Sequence, residues 1–254
     1  GFADMVNRRN FAYDDCGHGT HICGIIGGSG RMSGGRYSGI APGCNLIMVK
    51  VLDRKGNGYS SDVLAGISWV LERKEQLGIR ILNISVGACS KRGMSENSAL
   101  VKGVNRAWDA GLVVVVAAGN NGPRTMSITT PGISRKVITV GCSDDDREVL
   151  VGGNRMVDYS GRGPTAACIC KPDLVAPGCS VVSCSSRADK YTIKSGTSMS
   201  TPIVSGAVAL LLERFPDMSN KDVKLRLRES SVDIGLPRNQ QGWGMLNVEK
   251  MIGK

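Results

Sequence analysis

The chain has 254 residues, 41% of them hydrophobic, enough to bury a sizeable core within one α/β domain. No apolar run reaches bilayer-spanning length, and the opening GFADMVNRRN lacks the apolar centre of a secretory signal. The 32 Lys and Arg exceed 22 Asp and Glu by ten, but they are dispersed and aromatics make up only 4%, so the charge reads as a solvated surface rather than a nucleic-acid platform.

Along the chain, short β-branched runs alternate with longer stretches of helical period. NLIMVKVL reads as a strand. Residues 61–77 form a helix whose stripe of Val63, Ile67, Val70 and Leu71 faces a core, with charges Glu72 to Glu75 near its end. A strand in IRILNISVG, a helix in NSALVKGVNRAWDAG and strands over 112–117 and 136–142 follow. Residues 112–117 are apolar on both faces, as expected of a parallel sheet covered by helices on both sides. YSGRGPTAACICKPDLVAPG reads as loops framing short strands, with Asp173 bonding the loop. The apolar and small residues of SMSTPIVSGAVALLLERF predict a buried central helix from Ser198. A last helix starts near Ser219, where Asp222 three residues on completes an N-terminal cap. The predicted fold is a three-layer α/β domain with a mostly parallel sheet.

Nine cysteines, Cys16, Cys23, Cys44, Cys89, Cys142, Cys168, Cys170, Cys179 and Cys184, are an odd and scattered set without zinc-site spacing. They read as small buried hydrophobes. This usage points to a reducing compartment, the cytoplasm, or alternatively to an oxygen-free exterior.

Three glycine-rich strings carry the chemistry: GHGTHICG around His18, AAGNNG around Asn120 and SGTSMSTPIVSG around Ser198. Alone, each is a turn or a cap. Together and in this order they resemble the subtilisin-like serine proteases. The likeness continues through YSGRGP, KPDLVAPG and GWGMLNVEK over essentially the whole chain. YDDCGHGTH and QGWGMLNVEK are most similar to intracellular bacterial members.

The resemblance implies a serine endopeptidase. His18 would be the general base, with His21 structural, and Ser198 the nucleophile. The Asn120 amide and the Ser198 N–H would bind the oxyanion. Ser85, Val86 and Gly87 would form one edge for an extended peptide and Gly56, Asn57 and Gly58 the other, while Ala117, Ala118 and Gly119 would line the first specificity pocket. Thr130-Pro131 aligns with a cis peptide at the base of that pocket.

Two features depart from the family. Only 17 residues precede His18, and none resembles the apolar strand ending in the catalytic Asp. Asp14 and Asp15 instead match an acidic pair that accompanies a separate triad Asp. The expectation is therefore an N-terminally incomplete peptidase domain over 1–254, lacking its N-terminal strand. The Asp would then be supplied by an N-terminal segment of the same polypeptide. GSGRMSGGRYSGIAP also lacks the Asn-rich calcium loop of secreted relatives. No cofactor or metal is expected in catalysis, and a structural calcium held by carbonyl oxygens leaves no signature in the sequence. The alternative is a catalytically impaired pseudoprotease or peptide-binding module. Neither nucleic acid nor membrane is an expected partner.

Overall fold

The computed structural model describes residues 1–87, 96–187 and 191–253, so Cys89 lies outside the described residues. In chain order the elements are β1 (Phe2–Asp4), α1 (His18–Gly27), β2 (Met48–Lys50), α2 (Ser60–Arg73), β3 (Ile81–Ile84), α3 (Ala99–Asp109), β4 (Val113–Ala117) and β5 (Ile138–Cys142). The second half adds β6 (Val149–Val151), β7 (Asn154–Met156), β8 (Leu174–Ala176), β9 (Val181–Cys184) and β10 (Tyr191–Lys194). The helices α4 (Thr197–Arg214), α5 (Asn220–Ser230), α6 (Arg238–Gln241) and α7 (Val248–Ile252) close the chain.

The main sheet runs β3-β4-β5-β8, all parallel, with Ile81 opposite Val113, Val115 opposite Ile138 and Val140 opposite Leu174. All five residues of β4 are buried, as a β-branched strand between two helical layers requires. Each such Val contributes on the order of 1.5–3 kcal/mol by leaving water. On α3 the Ser98 hydroxyl accepts the Val101 N–H, and Val101, Val104, Ala107 and Trp108 are the inward stripe. The central helix α4 packs on α1 and on β3, β4 and β5. At α5 the capping box of Ser219 and Asp222 forms as the sequence predicts. The three-layer expectation holds.

Some boundaries shift. The helix expected over 61–77 stops at Arg73, and Gly78, in the left-handed region, turns the chain into β3. The run NLIMVKVL contributes only three residues to β2. Thr130-Pro131 is cis. Asp173 accepts the Thr139 N–H at 2.7 Å and pairs with Lys171, a fully buried cation whose ammonium also reaches Val137 O and Thr139 Oγ1. Burial drags the Lys171 pKa down to about 8 against the pull of Asp173.

The cysteine expectation needs correction. Cys142 is buried, but Cys168 and Cys170 are exposed and the remaining described cysteines are half-buried. Both exposed cysteines lie in the irregular segment between β7 and β8, outside any helix or strand that packs on the core.

The sheet is interrupted. β1 and β2 pair with each other, parallel, and neither joins β3. Two cavities of about 450 and 390 Å³ occupy the space between, each lined by residues of both β2 and β3.

Candidate active site

His18 is the first residue of α1, after Gly17, whose φ of +77° suits glycine. Asp14 caps this turn: its carboxylate accepts the N–H groups of Cys16, Gly17 and Thr20 at 3.1, 2.7 and 2.8 Å, and the Thr20 hydroxyl at 2.7 Å. Burial raises the Asp14 pKa, but these donors outweigh it and hold the group below its ordinary value. Asp15 faces the other way and pairs with Lys50 at 2.6 Å. Asp4, at the end of β1, is used by the Val6, Asn7 and Arg9 N–H groups and the Tyr13 hydroxyl. Each of these carboxylates therefore has a structural task.

Among the described residues neither His18 ring nitrogen is hydrogen-bonded. Desolvation, then the charges of Lys194 and His21, lower its pKa to about 4, and Asp14 recovers only part. His21 is fully buried, and its Nε2–H is shared between Val181 O at 3.1 Å and Thr192 O at 3.2 Å. That bond ties α1 to β9 and β10, in keeping with a structural role.

Ser198 is the second residue of α4. Its N–H has no backbone acceptor among the described residues, as is usual in a first helical turn. Its hydroxyl donates to Ser85 O at 2.9 Å rather than to His18. Asn120 is fixed from the opposite side. Its Oδ1 accepts both the Thr197 N–H and the Thr197 hydroxyl at 3.0 Å, and its amide N–H pair, beside Gly196, has no hydrogen-bond partner among the described residues. Thr197 Oγ1 in turn accepts the Gly119 N–H at 3.1 Å. The structure thus brings Asn120 and Ser198 to one place through Thr197, a residue of the SGTSMSTPIVSG string with no role among the sequence candidates. Its only sequence signal was its position between Gly196 and Ser198.

Ser85, Val86 and Gly87 continue β3, and Val86 and Gly87 form no backbone hydrogen bond to another described residue. That edge is open to an extended partner. Gly56, Asn57 and Gly58 lie in an exposed turn. Asp53 accepts the Lys55 and Asn57 N–H groups there, and Asp53 N–H donates to Asn57 O. The Asn57 N–H and C=O and the Gly56 N–H are therefore occupied, and among the described residues the Gly58 N–H is the backbone donor of these three without a partner. Ala117 and Ala118 are buried at the end of β4, and Gly119, at φ +93°, lies so close to Thr129 that a Cβ would collide with it.

The larger cavity beside the site is lined by Met48 and Val49 of β2, Ile67 and Val70 of α2, and Leu82 and Ile84 of β3, with His18 at its rim. It is an apolar slot bounded by two strands that are each paired on one side only.

The sequence profile described as the subtilase family matches residues 3–244. The serine protease AprX of Bacillus subtilis (strain 168) is 42% identical over 99% of this chain, which spans only 61% of AprX. Subtilisin DY of Bacillus licheniformis is 34% identical, covering 98% of this chain and 82% of that protein. Among solved structures, Sphericase superposes with a TM-score of 0.80 at 31% identity, covering 96% of this chain and 83% of that one. A cold adapted subtilisin-like serine proteinase gives 0.75 at 30%, with coverage of 96% and 78%. With a profile match over nearly its whole length and relatives well above 30% identity, the chain belongs to the subtilase family.

Proposed function

We propose that the chain is the peptidase core of a serine endopeptidase. Ser198 attacks the scissile carbonyl, His18 takes its proton and returns it to the leaving amine, and the Asn120 amide with the Ser198 N–H holds the oxyanion. The observation that carries this reading is the lock between Thr197 and Asn120. With two donors on Oδ1, the Asn120 amide offers N–H groups next to the first turn of α4, where the Ser198 N–H has no acceptor among the described residues. Such preorganised donors cost no rearrangement as charge develops. The substrate backbone would add to the open edge at Ser85 to Gly87, opposite Gly56 to Gly58, with Ala117 to Gly119 behind the first specificity pocket.

His18 needs a carboxylate to stabilise the imidazolium, and among the described residues none reaches it. We infer that an N-terminal segment of the same polypeptide adds as a strand between β2 and β3. Its Asp would then stand at the His18 end of the slot. The apolar walls and single-sided pairing of both strands support this, because an unpaired buried strand edge is costly. No cofactor is needed for the chemistry.

The test compares turnover of an unstructured peptide substrate by the 254-residue chain and by the polypeptide extended at its N-terminus. The extended form should be faster by a factor on the order of 10⁴, the size of the effect known for the triad carboxylate in subtilisin. Equal rates would refute the strand assignment. No turnover by either would favour the second reading, a peptide-binding module without catalysis, for which the Ser198 bond to Ser85 O speaks.

A further inference from the structure

Next to the segment that leads into Ser198, through the bond of Gly196 N–H to Gly178 O, lies a group the proposed mechanism does not use. Cys142 ends β5 and Cys179 follows β8. They are 37 positions apart, yet their sulfurs and an oxygen of Asp144 all lie within 4.8 Å of one another. The Tyr159 hydroxyl stands 3.2 Å from both sulfurs and from Gly178 O. Asp144 Oδ1 accepts the Cys142 S–H at 3.0 Å and the N–H groups of Gly178 and Cys179 at 2.7 and 3.1 Å. Cys142 and Tyr159 are fully buried, whereas Cys179 keeps access to solvent.

We propose that Cys142 and Cys179 form a redox dithiol that hydroperoxides oxidise to a disulfide, and that this bond loosens the loop carrying Ser198. The accessible Cys179 thiolate attacks one oxygen of the peroxide. An S–O bond forms, the O–O bond breaks, and the other oxygen leaves as water or an alcohol after taking a proton. The sulfur is oxidised to a sulfenic acid and the peroxide is reduced. Cys142 then passes its proton to Asp144 and attacks the sulfenic sulfur. The S–S bond forms, the S–O bond breaks, and hydroxide departs with that proton as water.

The two thiols differ in the direction this division requires. Contact with Cys142, and then the Tyr159 hydroxyl, hold the Cys179 pKa below the ordinary thiol value, while the same contact and burial push Cys142 up. The lower-pKa, accessible sulfur is the peroxide-reactive one and its buried neighbour resolves it.

The link to Ser198 is short. Gly178 O accepts the Gly196 N–H at 3.0 Å, and Gly196 precedes Thr197 and Ser198. A disulfide brings the sulfurs to about 2.05 Å, inside the space that Tyr159 now spans with its bonds to both and to Gly178 O. The space beside Gly178 is too small even for a Cβ, which would collide with the Ser200 hydroxyl and the Cys142 sulfur, so a shift of that sulfur is passed to the Gly178–Gly196 contact.

The test treats the reduced protein with one equivalent of hydrogen peroxide and maps its peptides by mass spectrometry. The expected product is a cross-link of the Cys142 and Cys179 peptides, 2 Da lighter and reversed by dithiothreitol. Cys142→Ser should stop at sulfenic acid on Cys179, and Cys179→Ser should leave Cys142 reduced. Hydrogen exchange at Gly196 should quicken about tenfold on oxidation, a readout independent of proteolysis. Sulfinic acid on Cys179 with Cys142 untouched would overturn the proposal, as would a cross-link to another cysteine or unchanged exchange at Gly196. So would a thiolate-to-Cd²⁺ absorption band lost in both variants and no cross-link, because the pair would then be a metal site.

Discussion

The chain contains two histidines, so the protonation of His18 can be followed directly. Its pKa is lowered from 6.5 to about 4, chiefly by desolvation. A fall of that size means that protonating the folded ring costs about 3 kcal/mol more than protonating the unfolded one. The folded pKa lies below the unfolded value, so between the two the unfolded chain binds more protons and stability rises with pH. His18 therefore favours folding fully above about pH 6.5 and loses that contribution as pH falls towards 4. Denaturant unfolding of the wild type and His18→Asn at pH 7 and pH 4 isolates this from other titrating groups. The wild type should lose about 3 kcal/mol more than the variant over that interval. An NMR titration of the ring should give the same pKa. A midpoint at or above 6.5 in this 254-residue chain, or equal pH dependence of the two proteins, would refute the argument that His18 is desolvated without a carboxylate.

Asn120→Ala should lower turnover of the extended polypeptide by about 10²–10³ with little change in KM, because the amide acts on charge that develops after binding. A change confined to KM would place Asn120 in ground-state binding. Lys171→Met should cost about 3 kcal/mol in denaturant unfolding, since it leaves the buried Asp173 without its nearest cation; a loss under 1 kcal/mol would show that Lys224, 3.4 Å away, suffices. Ser219→Ala should cost about 1 kcal/mol by removing the cap of α5, and no loss would show that Asp222 holds that end alone.

Much of the fold was legible because it rests on local signals. The β-branched run of β4, the stripe of α3 and the capping pair Ser219 and Asp222 all act within one turn or one strand. The catalytic candidates were legible through short motifs, but their geometry was not. Thr197 and Asn120 are 77 positions apart, and nothing local says that one fixes the amide of the other. Cys142 and Cys179 meet because β5 and β8 are neighbours in the sheet, a pairing that cysteine spacing does not encode. Asp14, which the sequence likens to an acidic pair beside a separate triad Asp, takes four donors as the cap of the helix that presents His18, a task no local pattern spells out. Ser198, expected to face His18, donates instead to the Ser85 carbonyl.

The proposed chemistry is tested most directly by a fluorophosphonate, which modifies only an activated serine, followed by peptide mapping. In the extended polypeptide one label should appear, on Ser198, and it should vanish in Ser198→Ala and fall at least tenfold in His18→Asn. A label on another serine, or equal labelling of Ser198 with and without His18, would contradict the assignment of Ser198 as nucleophile and His18 as its base.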